Sequence, residues 1–229
     1  MPAMSSGQVS SVDGIVAQLT EAVHEHRVRP GAKLSEDEVG EIFGVSRTLV
    51  RQALRAMEHG GLVTIQRNRG AFVAKPSIKE AREVFEARAL LEPRTARAAA
   101  ERATPADITQ LNDHIDREHA ALARDEAGLA LKLSGEFHCI IARMADQKTI
   151  EGFVQQLISR SSLVIALYWQ RRNALCESNA HHALVRALAS HDGDTAEELM
   201  AGHLLDLVSQ LDLRAQPDRT DSLRDALLK

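Results

Sequence analysis

Apolar positions along most of this chain recur at steps of three and four residues, the period of an amphipathic helix, and give way to strand-like runs in one short stretch. Val12, Ile15, Val16, Leu19 and Val23 mark a first helix. Val39, Ile42 and Phe43 mark a short second one, with Ser35 and Glu38 spaced as a capping box ahead of it. Val50, Ala53, Leu54 and Met57 form the buried face of a third, which Ser46 can cap, and Gly44 allows a tight turn that Val45 packs. After Gly60 and Gly61, the run Leu62 to Ile65 predicts a strand, Gln66 to Gly70 a turn, and Ala71 to Val73 the returning strand. Two helices around a glycine turn, followed by a hairpin, predict a winged helix-turn-helix.

Beyond the hairpin, Ala74 to Lys79 predicts a linker, where Pro76 discourages a continuous helix. Six helices then follow, at about residues 78–103, 105–124, 127–145, 149–171, 175–190 and 195–213. Thr104 before Pro105 is an N-cap with proline at the first helical position, Asp146 and Gln147 separate two helices, and Pro93 is expected to kink the first. The polar tail could hold a short terminal helix through Leu223, Ala226 and Leu227. The expected fold is mainly α: a winged helix-turn-helix with a small β-hairpin wing over residues 1–75, a linker over 76–80, an all-α antiparallel helical bundle over 81–215 and a tail over 216–229.

Charge sharpens this picture. The 229 residues carry a net −4, which argues against a nonspecific nucleic-acid coat. Yet residues 44–75 hold five Arg and one Lys against a single acid, Glu58, so positive potential gathers on the helix-turn-helix and wing. Arg47, Thr48, Arg51, Gln52 and Arg55 lie off the apolar face of the third helix, with Arg67 and Arg69 in the wing turn. These side chains can meet phosphates and base edges, and the N-terminal end of such a helix, here Arg47 and Thr48, is the part that enters a major groove. A solvated arginine-rich surface is the competing explanation. No apolar run reaches the ~20 residues of a membrane span, and the N-terminus lacks a signal-peptide layout, so a soluble, cytoplasmic protein without a membrane partner is expected. Two cysteines without CxxC spacing, Cys139 and Cys176, fit packed thiols in a reducing compartment.

The pieces RPGAKLSEDEV, GVSRTLVRQAL and GLVTIQRNRGAFV, in that order and spacing, resemble the DNA-binding domain of GntR-family bacterial transcription regulators. That resemblance implies a homodimer gripping double-stranded DNA at a palindromic operator, with contacts from Arg47, Thr48, Arg51 and Gly70. One position departs from it: Asp37 stands where the family often has Arg, and an acid there repels phosphate. The second half resembles the FCD effector domain of the FadR-type subgroup through EVFEARALLEPRTARAAAER, LSGEFHCIIARMA, AHHALVRAL and AGHLLDL.

Of ten histidines, His138, His181 and His203 fall where the FCD pattern implies ligands to a divalent metal inside the bundle. The pattern also implies Asp four residues before the first of them, and here that position is Ser134, a far poorer ligand. Three imidazoles suit Zn²⁺ or Ni²⁺, with water or an effector carboxylate at the open positions. The alternative is three hydrogen-bonded core histidines. Arg88, where FCD proteins commonly hold Arg, could clamp a carboxylate in two-pronged fashion, or form an i,i+4 ion pair with Glu92. Arg88 and Ser134 are thus the candidate effector-binding residues beside the metal. Tyr168 and Trp169 are expected in the bundle core or a dimer interface.

No catalytic constellation stands out. The chain is expected to be a transcription regulator and repressor, not an enzyme, that senses a small carboxylate. A metal-dependent hydrolase fused to a DNA-binding domain and a ligand-independent architectural DNA-binding protein are the rival readings.

Overall fold

The computed structural model describes residues 11–169 and 175–214, with backbone alone at 175–178; the tail helix and the Cys176 side chain proposed above lie outside the described residues. The chain divides into two compact units, one within the residues up to Lys75 and the other from Pro76 onward.

The first unit holds α1 (Val12–His24), β1 (Lys33–Leu34), α2 (Glu36–Phe43), α3 (Arg47–His59), β2 (Val63–Gln66) and β3 (Gly70–Val73). The three strands form an antiparallel sheet in the order β1-β3-β2, with Thr64 opposite Phe72 and Lys33 opposite the same Phe72. β1 was not expected, because two residues are too few to show a period. Ile15, Leu19, Val39, Val50, Leu54 and Met57 are buried together with Leu34, Val63 and Val73, so the apolar stripe of α3 forms the centre of a small core. Gly44 ends α2 at φ 66°, a left-handed conformation that a side chain disfavours, and Ser46 accepts the Leu49 amide to start α3. Two local expectations fail. Ser35 precedes α2 without a side-chain cap, so the capping box is not formed. Ile42, placed on the buried stripe, is exposed; in a helix of eight residues only the face holding Val39 and Gly40 reaches the core.

The second unit contains α4 (Ile78–Arg102), α5 (Pro105–Ala123), α6 (Ala127–Met144), α7 (Lys148–Tyr168), α8 (Leu175–Ala189) and α9 (Gly193–Ser209). α4 is the central element and packs on α6, α7, α8 and α9, while α5 lies against α6 and α8. It starts at a capping box made by Ser77 and Glu80 and runs on through Pro93. A second capping box, Thr104 with Asp107, starts α5 behind Pro105. The core is rich in alanine on α4 (Ala81, Ala96, Ala99, Ala100), which lets larger residues such as Phe137, Ile141, Leu188 and Leu204 approach closely. Tyr168 is buried in this core and Trp169 packs half-buried against it, while the Tyr168 hydroxyl donates to the Pro76 carbonyl at 2.8 Å.

Candidate metal centre and DNA-reading face

His138 on α6, His181 on α8 and His203 on α9 come together inside the bundle, each 5% exposed or less. One ring nitrogen from each lies within 4.8 Å of the others. The Nε2 atoms of His138 and His203 are 3.3 Å apart. Two imidazole nitrogens on one tetrahedral ion at ~2.0–2.1 Å are separated by about that distance. His181 Nε2 is buried without a hydrogen-bond partner. An orphaned nitrogen of this kind is costly unless something binds it, and so the donor set fits a divalent ion. The helix period explains the convergence: His138, His181 and His203 each occupy a core-facing position of their helix.

Two carboxylates stand behind the rings. Glu118 on α5 faces His181 Nδ1 at 3.1 Å in an aligned hydrogen bond. Glu92 on α4 comes within 2.6 Å of His138 Nδ1, off the line of a hydrogen bond. Phe137 lies flat on His181, with ring centroids 4.1 Å apart, and fixes its plane from the other side. Glu118 and Ser161 escaped the sequence analysis. Glu118 was in principle legible, since with Leu111, His114 and Ile115 it falls on the buried register of α5, an acid where an apolar residue belongs.

Burial sets the protonation of these groups. Loss of water pushes His181 down to about 3 and holds His138 and His203 below the usual imidazole range, so all three are neutral and able to act as ligands. Burial would raise Glu92, but the Arg88 guanidinium beside it outweighs that and brings it down to about 2. Glu118 has no such cation, and burial pushes it up to about 7.

Arg88 takes the ion-pair alternative, in a buried form. Its Nε donates to Glu92 Oε1 at 2.5 Å, Nη2 to Oε2 at 3.3 Å and Nη1 to Ser161 Oγ on α7 at 3.1 Å. Its fork is therefore occupied by protein groups. Ser134 is buried one turn before His138 on α6. Cys139 is a free thiol, pushed up to about 12 by burial and thus unreactive. His182, beside His181, is half-buried and stacks on His119.

In the other unit, Arg47, Thr48, Arg51, Gln52 and Arg55 are all exposed on α3, and Arg67, Arg69 and Gly70 are exposed at the wing. Asn68 (φ 61°) and Gly70 (φ 99°) turn the hairpin. Arg69 lies over the Phe72 ring. Two consecutive acids at the start of α2 meet the recognition helix: Glu36 takes both forks of Arg51, at 2.9 and 2.6 Å, and Asp37 pairs with Arg47.

A helix-turn-helix with a wing, joined to an all-helical domain with a buried histidine cluster, defines a DNA-binding regulator with a sensory domain. Comparison with known families agrees: residues 12–73 match the model described as bacterial regulatory proteins, gntR family, and residues 83–206 match the FCD domain. The chain belongs to the gntR family of bacterial regulatory proteins and carries an FCD domain. It is 28% identical over 181 residues to the HTH-type transcriptional repressor RspR of Escherichia coli, covering 79% of each chain. To the galactonate operon transcriptional repressor of the same organism it is 28% identical over 218 residues, covering 83% of this chain and 92% of that one. Among solved structures, E. coli McbR/YncC shares the fold at a TM-score of 0.78 and 19% identity, over 88% of this chain and 96% of the other. The chain is a transcription regulator, and the hydrolase reading gives way to the regulatory one, since the relatives are regulators rather than enzymes. Among the described residues no helix is long and apolar enough to cross a membrane.

Proposed function

We propose that this protein is a homodimeric, cytoplasmic repressor that reads a palindromic operator and responds to a small carboxylate through a divalent metal, Zn²⁺ or Ni²⁺, held by His138, His181 and His203. The observation that carries the metal is the unpartnered buried Nε2 of His181 facing two other neutral imidazoles. A ligand-independent architectural role leaves that cluster unexplained. A bound ion supplies a Lewis-acidic centre to which a carboxylate oxygen coordinates. With Ser134 in place of an acid, and Arg88 committed to Glu92 and Ser161, the carboxylate depends on the ion itself for its hold. Support for the effector class comes from the relative named for a galactonate operon, since galactonate is itself a carboxylate.

On the DNA side, Arg47, Thr48, Arg51 and Gln52 enter the major groove, Arg55 meets phosphate, and Arg67, Arg69 and Gly70 approach the backbone from the wing. The test is metal analysis of protein purified without chelator or affinity-tag metal, with His181→Ala beside it. About one ion per wild-type chain and a large loss in the variant is the expected result, together with a rise in melting temperature on adding a carboxylate only to the loaded form. A wild-type chain that takes up no divalent ion contradicts the proposal.

A further inference from the structure

The FCD pattern's carboxylate ligand is missing at Ser134, yet a buried carboxylate from a different helix reaches the same cluster. Resting on the metal reading above, we infer that Glu118 is a positioning residue of the metal centre: it orients His181, selects the tautomer that leaves Nε2 free, and supplies the site's one uncompensated negative charge. The geometry is specific. Glu118 Oε2 accepts from His181 Nδ1 at 3.1 Å, and with the proton on Nδ1 the lone pair belongs to Nε2, the atom without a partner. Glu118 comes from α5, His181 from α8 and His203 from α9, so the contact ties a helix that contributes no ligand to one that does.

The charge count separates Glu118 from Glu92. Glu92 is neutralised by both forks of Arg88, and its approach to His138 Nδ1 is not aligned with an N–H. Glu118, also 2% exposed, is paired with no Lys or Arg among the described residues. A divalent ion on three neutral imidazoles favours the ionised form of Glu118 and then finds one net negative charge in its surroundings, leaving a site of net +1. Such a site is neutralised by a monoanion, so a monocarboxylate is the charge-matched effector, whereas a dicarboxylate carries one charge in excess unless its second group reaches water.

The experiment compares wild type, Glu118→Gln and Glu118→Asp by Zn²⁺ competition against a chromophoric chelator, with Co²⁺ absorption spectra and metal-free melting curves. Glu118→Gln keeps an acceptor and the shape but removes the charge; Glu118→Asp keeps the charge but draws the oxygen back. The expected result is a 10- to 100-fold loss of Zn²⁺ affinity in Glu118→Gln. Its metal-free melting temperature should be unchanged or higher, because a buried charge is gone. A residue with only a packing role moves both quantities downward together. Glu118→Asp should also bind more weakly and shift the Co²⁺ spectrum, and it serves alone if the Gln variant does not fold. Equal Zn²⁺ affinity in wild type and variants overturns this inference while leaving the metal centre standing. No Zn²⁺ or Co²⁺ binding by wild type overturns both.

Discussion

Asp37 occupies a position where the family often carries arginine, and in this chain it pairs with Arg47 of the recognition helix while its neighbour Glu36 holds Arg51. Both pairs are solvent-exposed, so each contributes little and yields readily to phosphate. Removing one acid should free its arginine. Asp37→Ala is expected to raise affinity for random-sequence DNA by up to about fivefold at low salt and to steepen the salt dependence by about one counterion. Unchanged affinity and slope in a salt titration would detach Asp37 from DNA binding. Arg51→Ala should weaken specific binding roughly tenfold to hundredfold and leave the oligomeric state intact, as measured by anisotropy beside sedimentation. Full binding by that variant removes Arg51 from the reading set. At this scale the sequence revealed residue types better than their partners. The triad was recognisable through the FCD resemblance, but Glu118 and Ser161 sit 63 and 73 positions from the residues they contact, and no local pattern encodes such pairs. Arg88 was visible as a charge with two possible roles, and its ion pair with Glu92 is joined by a contact to Ser161 of α7 that no spacing foretold.

Helices carry most of what the sequence made legible, because their period is set by burial and burial leaves a mark every three or four residues. The six bundle helices begin and end close to their expected limits; the largest difference is at the last, expected over 195–213 and found at Gly193–Ser209, where Asp192 caps the start. β1 was not legible, since it depends on a neighbour distant in sequence: Leu34 pairs with Ala71. α7 joins two of the features described above. Ser161 near its middle holds Arg88, and Tyr168 at its end donates to the Pro76 carbonyl, at the start of the second unit. If α7 relays the state of the bundle to the linker, Tyr168→Phe should leave metal content unchanged while reducing, by roughly fivefold or more, the effect of a carboxylate on DNA affinity. An unaltered response excludes that hydroxyl from the relay. Phe137, fully buried against His181, tests packing instead: Phe137→Ala should cost about 3–5 kcal/mol in denaturant unfolding and weaken metal binding as well. Loss of stability with metal affinity unchanged would show that the stack does not support the ligand.

For the whole molecule, burying a cluster of neutral histidines links stability to pH. Burial puts His181 at about 3 and keeps His138 and His203 below their ordinary value of 6.5. Below pH 6.5 the unfolded chain takes up protons at these three positions that the folded chain does not, so stability falls as pH drops. Glu118, pushed up to about 7 by burial, acts in the opposite sense: the folded chain takes its proton between about pH 7 and 4.5, ahead of the unfolded one. Three groups oppose one. The metal-free protein should therefore melt at progressively lower temperature from pH 6.5 to 5, and equal or higher melting at pH 5 would mean the histidines are not buried neutral. The family, its two domains and its regulatory role follow from a pattern spread over the whole chain, whereas the sensory chemistry rests on few residues and is open to direct measurement. The decisive one is equilibrium binding to an operator selected from random duplexes, read by fluorescence anisotropy with metal-free protein, Zn²⁺-loaded protein, and loaded protein with a panel of monocarboxylates. The expected result is that one or more carboxylates change the operator dissociation constant by about tenfold or more, only in the loaded form and not in His203→Ala. Operator affinity indifferent to both metal and carboxylate would contradict it.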